Sequence, residues 1–576
     1  MRPAGWFRLQ SSNHKHRGGP VVNDAPPLMK RCPKCRRDYT DDTLLYCLDD
    51  GESLLDGPGN KRVEVSERPT AIFEPSTQLL RDEAIEAENP KPASRRITWI
   101  VAASILALAG ITGLAFMFVR PVPEPALQIK SLAVLPLDNL SNDASQEFFA
   151  DGMTEALIGS LSQVGSIKVI SRTSVMRYKK SGKSIPEIAK ELSVDGIIEG
   201  SIQRSDGRVR VTAQLVHAAT DSPVWSRSFE RSMTDILKLQ SEIAQAVVSE
   251  IRAQLTPAER QRLEGSSTID PAATEAFLLG RHYFHKWTRE SERQAVDQFQ
   301  KAVAIEPEYA DAWAGLADAW TVRAMVGDIT ASEAEKPTRA ATLRALEIDP
   351  NNAAAHISMC FVRNNYDFDW AAGEASCKRG IELDPNNAKG HFAYAYLLSR
   401  SGRHSEIDAH MRNAMRLDPA EAWWPSVYGS MLIQAGRFEE AEKQIMRAIE
   451  VDPTYNPSFY ALGDLYTEQG RFDDAIKARE KAGAGPTSLK VAYIHARSGD
   501  KEKARQILSK TESRDPYSQA LVYTALDDFD KAFEVIERTL NEGNSFMFGF
   551  ANFRELDRLK RDPRWEPIRR RMNLPE

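Results

Sequence analysis

WWPSVYGSMLIQAGRFEEAEKQIMRAIEVDPTYNPSFYALGDLYTEQGRFDDAIKAREKA, residues 423–482, is one pattern written twice. Gly429 returns as Gly463, Gly436-Arg437 as Gly470-Arg471, and Ala441 as Ala475, each 34 residues on. Working outward, the tags Ile305-Glu306-Pro307, Ile348-Asp349-Pro350, Leu383-Asp384-Pro385, Leu417-Asp418-Pro419 and Val451-Asp452-Pro453 recur at spacings of 43, 35, 34 and 34. Gly402 extends the turn-glycine series by a further 34. A fixed period of this length predicts stacked pairs of antiparallel helices, because one pair cannot bury its apolar face alone. Gly429 and Gly463 fall in first helices, and Ala295, Ala441 and Ala475 in second helices, at crossings too close for larger side chains. Gly402, Gly436 and Gly470 would end first helices with positive φ. The 43-residue unit has nine extra residues, expected between its two helices near Val326–Lys336.

The pattern resembles the tetratricopeptide repeat over about 272–540, seven or eight units, with 541–576 as the helical cap that covers a solenoid's exposed end. The resemblance implies a concave groove, lined mainly by first helices, that binds an extended peptide or a partner helix. Trp313, Trp320, Tyr394, Tyr428, Phe459 and Tyr466 are the candidate groove residues; aromatics at helical spacing serve equally as core between repeats. Cys360 and Cys377 fall on the two helices of one unit and are read as free buried thiols, with pairing as the alternative.

Upstream, residues 131–137 form an apolar strand and 147–164 a helix, followed by a strand near 167–171 and a helical piece at 185–192. Strands are expected at 196–204, 208–217 and 223–230, with Asp206-Gly207 as a hairpin turn, and a helix over 234–254 closes the unit. That alternation defines an α/β domain, bounded at 128–256. The stretches LAVLPLDNLS, FFADGMTEALIGSLSQV, VISRTSVMRYK and VDGIIEGSIQRSDGRVRVTAQLVHAATDSPVWSRSFER resemble the TolB-like amino-terminal domain. The layout is similar to the sensory part of CadC-type membrane-bound transcription regulators and of some bacterial adenylate cyclases and kinases. The resemblance implies a sensing or docking module rather than a catalyst.

Residues 97–119, ITWIVAASILALAGITGLAFMFV, carry no charge over 23 positions. Such a run is long enough for a single transmembrane helix, flanked here by Arg95, Arg96 and Arg120. The basic residues before it slightly outnumber those after it. The expectation is therefore a bacterial inner-membrane protein with its N-terminus cytoplasmic and its repeats outside. Residues 1–28 read as a disordered segment with Met29 as a candidate true start, and 56–94 as a polar linker. In 29–55, Cys32-Pro-Lys-Cys35 and Cys47-Leu-Asp-Asp50 resemble a zinc-ribbon-like head in which Asp50 stands where the fourth cysteine would be. Cys32, Cys35, Cys47 and Asp50 are the candidate zinc ligands; three thiols without metal and a redox CxxC are the alternatives.

The fold class expected is therefore multidomain: a small zinc-ribbon-like head, a single transmembrane helix, an α/β TolB-like domain and an all-α tetratricopeptide solenoid. With 75 basic against 81 acidic residues in 576, the net charge of −6 argues against general nucleic-acid binding. Five cysteines are too few for a disulfide scaffold. Gly182-Lys183-Ser184 mimics the end of a phosphate loop, but Arg177 stands where its first glycine belongs, so nucleotide is not an expected ligand. His282 and His285 share a helix face with no third ligand nearby. The expected function is a non-enzymatic, membrane-anchored adaptor or signalling receptor that binds protein or peptide. A structural scaffold for envelope complexes and a membrane-bound transcription regulator are the alternatives.

Overall fold

The computed structural model describes residues 30–31, 38–39, 55–56 and 129–574, the last without 142, 206, 265–267, 512–514 and 543–553. Two compact units divide the chain, Met1–Arg120 and Pro121–Glu576. In the first, β1 (Lys30–Arg31), β2 (Asp38–Tyr39) and β3 (Leu55–Asp56) pair antiparallel in the order β2-β1-β3. Cys32, Cys35, Cys47 and Asp50, the segment 1–28, the linker beyond residue 56 and the apolar run 97–119 lie outside the described residues.

One part of the expected fold class is corrected. Among the described residues no helix is long and apolar enough to cross a membrane. Their longest helix, Ala331–Ile348, carries Glu333, Glu335, Lys336, Arg339, Arg344 and Glu347. In the described helices apolar residues are spread along amphipathic faces and interrupted by charge. The described architecture is an α/β domain joined to a helical solenoid, and the single-pass inner-membrane placement is withdrawn with the transmembrane helix.

The second unit opens with the α/β domain. Its sheet runs β6-β4-β7-β8-β9, with β4 (Ser131–Val134) parallel to both β6 (Lys168–Val169) and β7 (Gly196–Ser205), and β5 (Asp138–Asn139) also paired with β7. β8 (Arg208–His217) and β9 (Ser222–Ser232) complete an antiparallel meander. Alternation decides the faces: Val209, Val211, Ala213 and Leu215 are buried, while Arg208 and Arg210 reach outward to Glu230. Gly200 is required, since a Cβ there would lie 2.0 Å from the Thr212 carbonyl oxygen. Gly207 turns the first hairpin at φ +74°. Helices α1 (Glu147–Ser162), α2 (Arg172–Met176), α3 (Ile185–Leu192) and α4 (Ile236–Glu250) accompany the sheet, and α5 (Pro257–Glu264) follows. Ser184 and Glu187 form a capping box at the start of α3, so Gly182-Lys183-Ser184 is a helix-entry turn.

Eight helical pairs follow, with first and second helices Pro271–Phe284 and Arg289–Ile305, Ala310–Met325 and Ala331–Ile348, Ala353–Val362 and Trp370–Leu383, Ala388–Arg400 and Ile407–Leu417, Trp423–Gln434 and Phe438–Val451, Asn456–Glu468 and Phe472–Lys481, Leu489–Ser498 and Lys501–Lys510, and Pro516–Ala525 and Phe529–Asn541. The residues before the tag prolines, Glu306, Asp349, Asp384, Asp418 and Asp452, take φ between −126° and −144°. Proline disfavours the helical region for the residue before it, so each tag stops its second helix. Gly402, Gly436 and Gly470 have φ of +74° to +76°.

Two further expectations are corrected. The nine extra residues of the second unit do not form a loop: Ala331–Lys336 belongs to its second helix, and the unit's helices run to 16 and 18 residues against 12 and 14 in the fifth unit. Cys360 and Cys377 are not free thiols; they form a disulfide joining the two helices of the third unit. Their 17-residue separation said nothing about side-chain direction; the helical hairpin places the two Cα atoms 5.1 Å apart.

Candidate peptide-binding groove

The first helices of successive units lie side by side and present one continuous inner face. Asp318 of the second unit accepts hydrogen bonds from Ser358 of the third (2.7 Å) and Lys389 of the fourth (2.6 Å). Phe361, Phe392, Tyr396 and Trp423 continue the row, with Phe392 5.7 Å from Tyr396 and 6.0 Å from Trp423 between ring centroids. Further along stand Tyr460, Asp464 and Glu468 of the sixth unit and Lys490, Tyr493 and Arg497 of the seventh. Arg497 binds Glu468 at 2.7 Å, and Asp464 pairs with the buried Arg479.

The six aromatic positions singled out in the sequence take several places. Tyr394 donates to Glu374 (2.6 Å), which Arg403 also binds; Tyr428 donates to Asp408 (2.8 Å), which Arg437 also binds. All three positions recur after 34 residues, so the same fastening ties the first helices of the fourth and fifth units to the second helix before each. Burial opposes ionisation of Glu374, but Arg403, Tyr394 and Lys378 outweigh it and hold its carboxyl down to about 2. Trp313 donates to the Pro307 carbonyl (3.0 Å) and packs among the first units. Trp320 lies under the Arg323 guanidinium, Tyr466 under Arg471 and Phe459 under the Lys481 ammonium. Sequence reading missed Lys389, Phe392, Tyr396, Asp464 and Glu468. A signal existed: 34 residues on from Phe392 come Ser426 and Tyr460, and from Tyr396 come Ser430 and Asp464. Packing positions keep their chemistry through the repeat, whereas these change it.

Residues 554–574 fold back onto the third, fifth and last units and meet this face at Glu555. Arg554 donates its backbone N–H to Gln434 (3.0 Å), Trp370 donates to the Met572 carbonyl (3.1 Å), and Leu556, Leu559, Trp565 and Ile568 are buried against the last two units. Arg564 and Arg571 bind Asp530 (2.7 Å) and Glu537 (2.6 Å). Glu555 sits among Gln434, Asp464, Glu468, Lys490, Tyr493 and Tyr517. Burial first, then Asp464 and Glu468, push its carboxyl up to about 7, against the weaker opposite pull of Lys490. A carboxyl raised in the folded state stabilises it fully below its ordinary value of 4.5, and that contribution is lost as pH rises through about 7. Hydrogen exchange of 554–574, corrected for intrinsic rates, is expected to be faster relative to the rest of the chain at pH 8 than at pH 5. Equal protection at both values, or the reverse order, contradicts this.

The α/β domain is fastened to the same solenoid. Asn386 donates to the carbonyls of Ser162 (2.9 Å), Val164 (3.3 Å) and Ile167 (2.9 Å) and accepts from the Val169 N–H (3.1 Å). Asp418 accepts from Ser174 (2.6 Å), and Ser171 donates to the Leu417 carbonyl (2.8 Å). One helix-stopping tag, Leu417-Asp418-Pro419, and the residue after another, Asn386, thus also grip the domain. On the first unit, Leu278 enters the α/β core against Gly152. There Glu155 of α1 binds Arg281 (2.8 Å at Nε), Arg172 (3.3 Å) and His285 (2.9 Å). Burial, with help from the neighbouring Arg172 and Arg281, pushes His285 down to about 4 despite Glu155. His285 is thus a neutral partner of Glu155.

Comparison with known proteins agrees with this division. Residues 128–246 match the HilA/YgeH-like transcriptional regulator, second domain, and residues 376–409 and 429–489 match tetratricopeptide repeat families. The solenoid is therefore a tetratricopeptide array, and the preceding domain is HilA-like. A protein named putative adenylate cyclase 3 from Rhizobium meliloti is 35% identical over 195 residues, which is 34% of this chain and 33% of that protein. The match spans about a third of the relative's length. Among solved structures, PilF of Pseudomonas aeruginosa is 16% identical with a TM-score of 0.30, covering 39% of this chain and 98% of that one. Yeast Tom70 is 14% identical with a TM-score of 0.34, covering 58% and 82%.

Proposed function

We propose that this chain is a non-enzymatic protein-binding adaptor whose tetratricopeptide inner face holds a segment of a partner protein. The observation that carries the reading is the row of chemically varied side chains along the first helices, of which Asp464, Glu468 and Lys490 already surround Glu555 of the chain's own returning segment. The α/β domain is read as a TolB-like docking or sensing module. Its hairpin, its closing Val224-Trp225-Ser226 and its attachment to the repeats support that. The likeness to the cyclase spans about a third of each protein and carries no catalytic role to this chain.

A photo-crosslinking residue at the exposed Tyr460 of the inner face is expected to trap a discrete protein partner in cells. The same residue at exposed Leu343, on a second helix, is expected not to. Equal trapping at both positions, or none at Tyr460, overturns the reading. A partner from the transcription apparatus would favour the regulator alternative, which the HilA-like match supports, and many stable partners would favour the scaffold. For the head, the proposal is one zinc held by Cys32, Cys35, Cys47 and Asp50. Support comes from the pairing of β1 with β2 on either side of 32–35 and from the competence of three thiolates and a carboxylate as tetrahedral ligands. Elemental analysis finding no zinc in the purified chain would remove it.

A further inference from the structure

The two edges of the α/β sheet are treated differently. At one edge, β6 is covered by the solenoid: Asn386 takes the Val169 N–H and the Leu417 carbonyl takes the Ser171 N–H. At the other edge lies β9, eleven residues long, and among the described residues no strand or loop bonds to its outer side. An exposed edge of this length is a template for one more strand.

Three features say what kind of strand. A groove of about 430 Å³ runs beside the edge, between β9 and α4, lined by Arg227, Phe229, Arg231, Glu242, Gln245 and Ala246. Inward-pointing side chains of an added strand would enter it. The charge along the edge is positive: Arg208 and Arg210 share the single carboxylate of Glu230, and Arg231 pairs with Glu242. Exposed Arg227 stacks over Phe229 with no carboxylate partner among the described residues. The same charges restrict the registers in which two copies could pair. Antiparallel pairing of two copies sets positions of like parity opposite each other. Centring the pair on Arg227, Phe229 or Glu230 then opposes Arg227 to Arg227, Arg227 to Arg231, or Glu230 to Glu230. Centring on Ser228 instead sets Arg227 against Phe229 and Glu230 against Ser226 without like-charge contact.

We propose that β9 is a docking edge for an extended acidic segment of a partner protein, which adds as a further strand and sets a carboxylate against Arg227. The surface is separate from the solenoid's inner face and does not depend on its use. Backbone hydrogen bonds supply the affinity, and the groove with Arg227 supplies the selectivity.

The test uses the full chain and two labelled twelve-residue peptides that alternate valine and threonine with either glutamate or lysine. The glutamate peptide is expected to bind at least tenfold tighter at low salt and to protect the β9 amides from hydrogen exchange. Arg227→Glu, at an exposed position, is expected to abolish the preference, and Arg227→Gln to reduce it. Equal affinity for the two peptides, binding without protection of β9, absence of binding, or dimerisation of the chain through β9 would each overturn the proposal.

Discussion

Glu155→Ala is expected to destabilise the second unit by about 3–5 kcal/mol, the usual cost of removing one partner from a buried charge cluster. The carboxylate is the single acceptor for Arg281, Arg172 and His285 where α1 meets the first repeat. Its removal leaves two guanidinium groups facing each other in a poorly hydrated seam. The variant should unfold in two transitions, because the α/β domain then loses its electrostatic hold on the first unit. Calorimetry reads this directly; a single transition within about 1 kcal/mol of the parent would show the cluster to be incidental. Glu155→Gln should cost less, since the amide oxygen still accepts one hydrogen bond.

Gly429→Leu is expected to cost about 3 kcal/mol or more, at the upper end for overpacking a close contact. A Cβ at that position would stand 2.5 Å from Ile445 Cγ1 and 3.2 Å from the Ala441 carbonyl oxygen. The two helices of the fifth unit must then separate, and a solenoid transmits such a fault only to its neighbours. Hydrogen exchange should therefore rise in the fourth to sixth units while the α/β sheet keeps its protection. Gly470→Ala is the contrast: its Cβ meets open space, so the penalty is confined to the φ of +75° and should be nearer 1 kcal/mol. Comparable unfolding midpoints for the two variants would contradict the packing argument.

The repeats were legible because their period is carried by residues with one mechanical task each, such as Gly402, Gly436 and Gly470 at turns and Ala441 and Ala475 at crossings. The meander of the α/β domain was legible for a similar reason, since alternation at Val209, Val211 and Ala213 is a local signal. What escaped was contact between distant parts of the chain. Asp418 already had an explanation as part of a helix-stopping tag, and Asn386 directly follows another, so nothing marked them as anchors for the α/β domain. Cys360 and Cys377 could be placed on two helices of one unit but not aimed at each other. The inner-face residues escaped because repetition preserves what packs, and Phe392, Ser426 and Tyr460 share only a position. Tyr394 and Tyr428 read as groove aromatics in the sequence, and the structure shows their hydroxyls fastening neighbouring helices.

Repeat arrays ordinarily behave as springs, because each unit touches only its neighbours and small rotations accumulate along the stack. Here the α/β domain is held at three places, at Glu155 on the first unit, at Asn386 and at Asp418. It acts as a splint across the first four units, whose pitch cannot change without stretching those bonds. The later units are held by the returning segment 554–574, which grips Gln434 of the fifth unit and reaches back to Trp370 of the third. Pulled from its ends, the molecule should first yield along that segment and only later at the splinted half. Tension would thus open the part of the inner face that the chain itself now covers.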